Sequence, residues 1–204
     1  KMTTGKSQIM MAVKSGKSIR FEEEKVRAMG RTAAGVRGIR LANDNDEVVG
    51  MICIDDTESS VLVVSENGYG KRSDIDDYRI TNRGGKGVKT INITEKTGSL
   101  ISLKNVTDLD DLMVINKSGI TIRIGVDTLR VMGRATQGVK IIRLRDNDSI
   151  ASVAKVSKFE EEDENLFDEN GNVVENTEVI EAKSETILPE NDNNNSKEND
   201  NEEN

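Results

Sequence analysis

Residues 82–88 read Asn-Arg-Gly-Gly-Lys-Gly-Val, and two related stretches flank them: 30–36, Gly-Arg-Thr-Ala-Ala-Gly-Val, and 133–139, Gly-Arg-Ala-Thr-Gln-Gly-Val. The three stretches lie 52 and 51 residues apart, and each has arginine, glycine and valine at the same positions. A second glycine column, with the same two spacings, consists of Gly16, Gly68 and Gly119. Two glycine columns in one register identify an internal repeat of about 51 residues that occurs three times.

Each repeat contains four candidate strands, and no stretch of useful length has helical periodicity. Apolar residues after the motif recur at period two, as in the column Ile39, Ile91 and Ile142, which is typical of strands. A repeat of this length is typical of one blade in a radially repeated β architecture. The sequence therefore predicts an all-β, propeller-like fold with about three four-stranded blades over residues 1–156. In the second repeat the predicted strands are 61–65, 69–73, 88–94 and 100–106.

The 204-residue chain has a formal charge of −8, which hides two regions of opposite charge. Residues 1–156 carry a net charge of +6, whereas residues 157–204 carry 17 acidic and 3 basic side chains, a net charge of −14. The second region is dense in Glu and Asn and cannot bury enough apolar surface to fold, so we expect a disordered acidic tail. Such a tail provides solubility or competes with polyanions for a basic surface on residues 1–156.

Composition excludes several kinds of site. The chain has no histidine, and its single cysteine, Cys53, lies in an apolar run, which indicates a buried side chain rather than a reactive thiol. The commonest general base and the commonest soft metal ligand are therefore missing, and we expect no metal site. No apolar stretch approaches the roughly 20 residues of a membrane span, and a lone cysteine fits a reducing, cytoplasmic setting. Because the first residue is Lys1 rather than Met, we expect the sequence to be a piece of a longer chain.

Basic residues occupy four columns of the repeat in all three copies. Equivalent residues of a repeat lie on equivalent surfaces, so each column predicts a row of positive charge along the array. An acidic column, Glu24, Asp76 and Asp127, lies between the first two, so we expect one or two basic columns to form ion pairs between blades. The four basic columns are Arg20/Arg72/Arg123, Arg27/Arg79/Arg130, Arg31/Arg83/Arg134 and Arg37/Lys89/Lys140.

The remaining basic columns suit a polyanion whose phosphates recur regularly. Single-stranded nucleic acid is bound on exposed aromatic rings, and residues 1–156 contain only Phe21, Tyr69 and Tyr78. We therefore predict contacts to the backbone of duplex DNA, with little readout of the bases. The predicted DNA-binding residues are Arg20, Arg31, Arg37, Arg72, Arg83, Lys86, Lys89, Arg123, Arg134 and Lys140.

Residues 26–41, 67–72 and 133–139 resemble the C-terminal domain of DNA gyrase A, and the resemblance covers essentially residues 1–156. It implies a β-pinwheel, a six-bladed disc whose neighbouring repeats exchange strands and whose basic rim wraps duplex DNA. This chain would hold the last three blades, followed by the acidic tail. Residues 83–87, Arg-Gly-Gly-Lys-Gly, reproduce the last five residues of the family's Gln-Arg-Arg-Gly-Gly-Lys-Gly box. Thr81 and Asn82 replace its first two residues, and the copy lies in a later blade, so we interpret it as a degenerate copy that still touches DNA.

The same resemblance implies a parent enzyme, a type IIA topoisomerase that introduces negative supercoils with ATP. Its partners would be the rest of gyrase A and the separate chain gyrase B, together forming a heterotetramer, and ATP and Mg²⁺ would belong to that holoenzyme. The catalytic tyrosine and the ATP-hydrolysing chain would lie elsewhere, so for this chain we expect no catalytic residue and no cofactor. Two alternatives stay open: the C-terminal domain of the corresponding chain of topoisomerase IV, and a propeller-like protein-interaction scaffold. The scaffold predicts that acidic partners between blades occupy the arginines.

Overall fold

The computed structural model describes residues 1–55, 58–145 and 147–158. The acidic tail predicted for residues 157–204 lies outside this part of the chain, except for Ser157 and Lys158. Strands dominate, and each repeat has one short 3₁₀ turn after its second strand: η1 (Glu23–Lys25), η2 (Ile75–Asp77) and η3 (Val126–Thr128). The strands are β1 (Gln8–Val13), β2 (Lys17–Glu22), β3 (Val48–Ile54), β4 (Ser60–Ser65), β5 (Tyr69–Asp74), β6 (Val88–Lys89), β7 (Leu100–Val106), β8 (Asp110–Asn116), β9 (Thr121–Gly125), β10 (Val139–Lys140) and β11 (Ile150–Ser157).

Three antiparallel sheets correspond to the three repeats. Their strand orders are β3-β1-β2-β6, β7-β4-β5-β10 and β11-β8-β9. The first two sheets have four strands, the number that the sequence predicts for a blade, and the third has three strands among the described residues. The all-β, propeller-like class is therefore confirmed, while the strand predicted at 88–94 is only two residues long.

The fourth strand of each complete sheet comes from the next repeat. Val88 and Lys89 of the second repeat pair with Ser18 and Lys17 of the first. The third repeat does the same for the second sheet, where β10 pairs with β5. Neighbouring repeats therefore exchange a strand, and this exchange fixes where each turn motif lies relative to the preceding sheet.

The glycine column that precedes each exchanged strand is explained by close backbone contact. Gly138 has a φ of +81°, and a β carbon there would lie 2.6 Å from the carbonyl oxygen of Gly70. Gly87 has a φ of +70° and would meet the carbonyl oxygen of Ser18 in the same way. Only glycine combines this backbone conformation with so close an approach of two chain segments.

The apolar core lies between the sheets. Strand β4 is buried on both faces, which explains its unbroken Val-Leu-Val-Val run. Val61 and Val63 pack in one cluster with Met10 of the first repeat, whereas Leu62 packs in another with Leu112 of the third. Each boundary between repeats is thus a continuous hydrophobic layer, and the three repeats form one packed array.

The order of strands defines an inner and an outer edge of the array. Strand β7 contacts both β3 and β11, and these three strands form the inner edge. The exchanged strands β6 and β10 lie at the opposite, outer edge of their sheets. Side chains on these two strands therefore lie on the perimeter, which is hereafter called the rim. In the described ranges, no helix has the length and apolar character needed to cross a membrane.

Candidate nucleic-acid interface

Two arginines of the first basic column are buried between repeats. Arg20 and Arg72 are each only 6% exposed. The Nη1 atom of Arg20 donates to the carbonyl oxygens of Ile75 (2.7 Å) and Tyr78 (3.1 Å). The equivalent atom of Arg72 donates to the carbonyls of the third repeat's turn, those of Val126 and Leu129, at 3.1 and 3.3 Å. Each guanidinium thus fastens one repeat to the 3₁₀ turn of the next.

This placement corrects the expectation that Arg20 and Arg72 contact DNA. Burial lowers the pKa of Arg20, while the nearby carboxylate of Asp76 acts in the opposite direction. The Oδ1 atom of Asp76 lies 3.9 Å from the Nη1 atom of Arg20, as the acidic column predicts. The Nη1 atom of Arg72 instead pairs at 2.6 Å with Oδ1 of Asp108, which does not belong to the acidic column. These two arginines have the structural role that the sequence predicts for one or two of the four basic columns.

The third member of this column, Arg123, is exposed and ion-paired. Its Nε atom donates to the carboxylate of Asp111 at 2.7 Å, across the β8–β9 pair. This ion pair links the side chain to the neighbouring strand of its own sheet. We leave Arg123 out of the rim contacts.

Arg83 and Arg134 join the turn motif to the preceding repeat. Arg83 donates through Nε to the carbonyl of Lys25 (2.8 Å) and through Nη1 to that of Arg37 (3.1 Å). Arg134 donates through Nη1 to the carbonyl of Lys89, also at 2.8 Å. Both guanidinium groups bind the backbone of a residue in the fourth basic column. Their observed contacts therefore hold rim residues in place, and both side chains remain partly exposed.

The other five predicted residues are exposed. None of them forms an ion pair with an acidic residue in the part of the chain that the structure describes. The Nζ atom of Lys89 donates to the side-chain oxygen of Asn92 at 3.2 Å, and that of Lys140 lies 5.8 Å from the ring centre of Tyr69. We call these five residues the rim cations: Lys89 and Lys140 lie on β6 and β10, Lys86 lies in the turn that leads into β6, and Arg31 and Arg37 lie in the equivalent segment of the first repeat.

The structure adds basic residues that the predicted set omits. Lys17 lies directly opposite Lys89 in the β2–β6 register, and Lys96 approaches the ring of Tyr69 to 5.5 Å. The second basic column is also exposed in all three repeats. This column can be identified from the sequence, because its members recur with the same spacing as the other basic columns; they are Arg27, Arg79 and Arg130.

A cavity of about 230 Å³ lies where the 79–88 segment crosses β2. Arg79, Asn82 and Lys86 line it, together with Gly85 and Gly87. Cationic side chains beside a glycine-rich backbone are the groups that bind a phosphate. Among the described residues there is no cluster of three or more His, Cys, Asp or Glu side chains that could hold a metal ion. The exposed cations of the rim suit electrostatic binding of a polyanion.

Comparison with known families gives one match that spans all three repeats. The family described as DNA gyrase C-terminal domain, beta-propeller, matches residues 7–55, 59–107 and 110–157. The three matched segments correspond to the three internal repeats.

The similar sequences are those of DNA gyrase A proteins. The protein from Staphylococcus aureus (strain NCTC 8325 / PS 47) is 42% identical over 189 residues, which is 92% of this chain and 21% of the relative. The protein from Staphylococcus epidermidis (strain ATCC 12228 / FDA PCI 1200) is 46% identical over 166 residues, which is 81% of this chain and 18% of the relative. The chain thus spans about a fifth of the length of these relatives.

Solved structures share the fold. A DNA gyrase A C-terminal domain superposes with a TM-score of 0.68 at 27% identity, covering 75% of this chain and 52% of that domain. A C-terminal domain of DNA topoisomerase IV superposes with a TM-score of 0.72 at 23% identity, covering 78% of this chain and 49% of that domain. At that identity the second similarity shows the fold alone.

Proposed function

The chain belongs to the family of DNA gyrase C-terminal domains with a beta-propeller fold, and from this premise we propose that its rim binds and bends duplex DNA. The module would be non-catalytic and would grip the sugar-phosphate backbone rather than the bases. One observation carries the proposal: five cations are exposed without described acidic partners, and four of them belong to columns that are basic in all three repeats. Two of them, Lys89 and Lys140, are on the outermost strands β6 and β10.

The order of the rim backbone supports this proposal. Lys89 and Lys140 lie on the exchanged segments, whose backbone is fixed by strand pairing, and the guanidinium groups of Arg83 and Arg134 bind the carbonyls of Arg37 and Lys89. A surface that is already ordered loses little entropy when it binds, so a larger share of the electrostatic attraction appears as affinity. Bending of DNA costs several kcal/mol over tens of base pairs, and many ordered phosphate contacts are needed to offset it.

At the level of the parent enzyme, we propose that the chain is part of a gyrase A protein that works with gyrase B in a heterotetramer. The holoenzyme would introduce negative supercoils with ATP and Mg²⁺ in the cytoplasm, using groups that lie outside this chain. The sequence identity to two gyrase A relatives supports this assignment over topoisomerase IV.

The alternative of a protein-interaction scaffold predicts that the basic columns pair between repeats. This prediction describes Arg20 and Arg72, whose guanidinium groups are buried in the boundaries between repeats. It does not describe the rim cations, which no described acidic side chain neutralises. The charges left on the perimeter therefore favour a polyanionic partner.

The affinity for duplex DNA should fall steeply with salt. Five phosphate contacts predict a slope of about −4.5 in a plot of log K against log salt, or a loss of roughly 500-fold between about 50 and 200 mM. Filter binding with two duplexes of unrelated sequence, each about 40 bp long, measures this slope. The two duplexes should give the same slope and the same affinity within a few-fold, because phosphate contacts carry no sequence information.

A flat salt response would contradict the proposal. A steep response for one duplex and none for the other would also contradict it, since it would indicate base readout. A single-stranded oligonucleotide of the same length is the control, and it should bind more weakly because the described rim offers few aromatic rings for stacking.

A further inference from the structure

Lys71 is fully buried on β5, with an exposure of 0%. The equivalent positions in the other two repeats are isoleucines, Ile19 and Ile122. An aliphatic side chain therefore satisfies this position of the repeat, and a lysine is not needed to form the strand. A buried ammonium group must lose its hydration, which opposes folding unless its partners compensate. The presence of lysine in place of isoleucine in one repeat requires a separate reason.

The ammonium group of Lys71 holds the turn motif of the third repeat. Its Nζ atom donates to the carbonyl oxygen of Gly133 at 2.6 Å. Gly133 opens the turn that continues through Arg134 to Gly138 and leads into Lys140. At the other end of this turn, the Cβ atom of Lys71 lies 3.5 Å from where a β carbon on Gly138 would be. The Lys71 side chain thus binds the first residue of a segment that leads to Lys140 and lies close to the last glycine of that segment.

Charged groups of both repeats surround this contact. Burial lowers the pKa of Lys71 to about 8, the carboxylate of Asp77 raises it, and the guanidinium of Arg134 lowers it further. Asp77 also accepts a hydrogen bond from the backbone N–H of Arg134 at 3.3 Å. The neighbouring hydroxyl of Tyr78 is bound to Thr90, and burial raises the pKa of that phenol. Lys71 and Asp77 therefore hold the beginning of the turn from two sides.

We propose that Lys71 is a positioning residue of the DNA surface: its ammonium group holds the 133–138 turn through the Gly133 carbonyl and so sets where Arg134 and Lys140 lie on the rim. The inference rests on the proposed function, since it concerns the geometry of the same basic surface. The positive charge of Lys71, which lies beneath the turn, also adds to the electrostatic potential that attracts phosphate. At the boundary between the first and second repeats, Ile19 takes this place and offers no donor to the corresponding turn.

The proposal gives opposite pH dependences for affinity and stability. Deprotonation of Lys71 weakens the charge-assisted hydrogen bond to Gly133 and removes one positive charge, so DNA affinity falls as the pH rises from about 7 to about 9. The pKa of Lys71 in the fold is about 8 and lies below the ordinary lysine value of 10.5. The unfolded chain therefore binds more protons between these two values, and the stability of the fold rises with pH across that window.

The test compares wild type with Lys71→Ile and Lys71→Met, and uses Lys89→Met as the control. Fluorescence anisotropy with a duplex of about 40 bp at constant ionic strength gives the affinity at about pH 7 and about pH 9. The affinity of wild type should fall about threefold or more between the lower and the higher pH. At the lower pH both Lys71 variants should bind about three- to tenfold more weakly than wild type, and their affinity should not fall further at the higher pH. Lys89→Met should bind more weakly at both pH values and keep the wild-type pH dependence.

Thermal unfolding at neutral pH separates positioning from a merely structural role. Lys71→Ile should unfold at the same temperature as wild type or higher, because an apolar residue replaces a buried charge. A Lys71→Ile variant with unchanged affinity and an unchanged pH profile would overturn the proposal, and so would a variant that loses affinity only because it unfolds.

Direct NMR titration of the Lys71 side chain and of the Arg134 amide keeps the inference testable without DNA. Both signals should shift together with a midpoint near pH 8. A midpoint at the ordinary lysine value of 10.5 would contradict it. If wild type bound no duplex at any pH while this joint titration was observed, the proposed function would fail and the Lys71 contact would stand.

Discussion

A variant with Lys86→Glu, Lys89→Glu and Lys140→Glu should lose duplex binding almost completely while it keeps its fold. The three side chains are exposed and lack described ion pairs, so their replacement removes the proposed phosphate contacts and only two described interactions, the Lys89–Asn92 hydrogen bond and the Lys140–Tyr69 ring contact. Three lost contacts account for about 500-fold at roughly 100 mM salt, and three new negative charges repel the DNA, so a loss of about a thousandfold or more is expected. Filter binding measures the affinity, and circular dichroism checks the fold.

A matched control carries the same change in net charge away from the rim. Lys14, Lys117 and Lys155 are paired with Glu47, Glu66 and Asp110, and the triple glutamate variant of these lysines should lose far less affinity. Equal losses in the two triple variants would show that net charge, not the position of the rim cations, determines binding. That result would contradict the assignment of the rim cations as the DNA-binding site.

The Arg72→Ala variant should be strongly destabilised, because Arg72 joins the second repeat to the third. The substitution removes three hydrogen bonds of Nη1, to Asp108, Val126 and Leu129, and leaves a cavity between two sheets. A buried carbonyl left without a donor typically costs about 1–3 kcal/mol, so the two carbonyls and the cavity together should cost roughly 3–5 kcal/mol, or a fall of roughly 10 °C in the unfolding temperature of a domain this size. Thermal unfolding followed by circular dichroism measures the shift.

Arg31→Ala is the control, since Arg31 is exposed and its loss should change the stability by less than about 0.5 kcal/mol. The two variants should show opposite patterns. Arg72→Ala should be unstable yet bind duplex well below its unfolding temperature, and Arg31→Ala should be stable yet bind more weakly. A stable Arg72→Ala variant that had lost DNA affinity would show that Arg72 contributes to DNA binding and would contradict its structural role.

The repeat, the fold class and the glycine turns can be predicted from sequence because each is recorded in spacing. The column Gly35, Gly87 and Gly138 lies 52 and 51 residues apart, and the structure gives the physical reason at Gly87 and Gly138, where two backbones meet. The length of the exchanged strand cannot be predicted in this way. After Lys89 the backbone N–H of Thr90 turns to bind the carbonyl of Gly16, which ends a strand whose apolar pattern continues.

The sequence does not show which arginines are buried between repeats and which are exposed at the rim. Arg20 and Arg37 both occupy columns that are basic in all three repeats, and a column shows that positions are equivalent without showing which way they point. The direction in which a side chain points depends on which face of its sheet meets the next repeat, and strand β2 is buried on both faces. The charge of Arg20 is therefore compatible with the interior only because the carbonyls of a 3₁₀ turn lie opposite it.

One signal for a functional residue is nevertheless present in the sequence. A lysine in a column of isoleucines breaks the apolar pattern of the repeat, and Lys71 is the residue that the structure shows beneath the third turn motif. The glycine-rich segment 83–87 gives a mixed signal, because its two cations have different surroundings. Arg83 binds backbone carbonyls of the first repeat, whereas Lys86 is exposed.

We propose that the rim cations make duplex DNA follow the outer edge of the array. The most direct measurement is the linking difference trapped when a nicking-closing topoisomerase relaxes circular DNA in the presence of saturating protein. The account predicts a topoisomer distribution that shifts in one direction in proportion to the bound protein, and no shift with the Lys86/Lys89/Lys140 glutamate variant. An unshifted distribution, at concentrations where filter binding shows the circle to be saturated, would mean that the protein binds DNA without bending it around the rim.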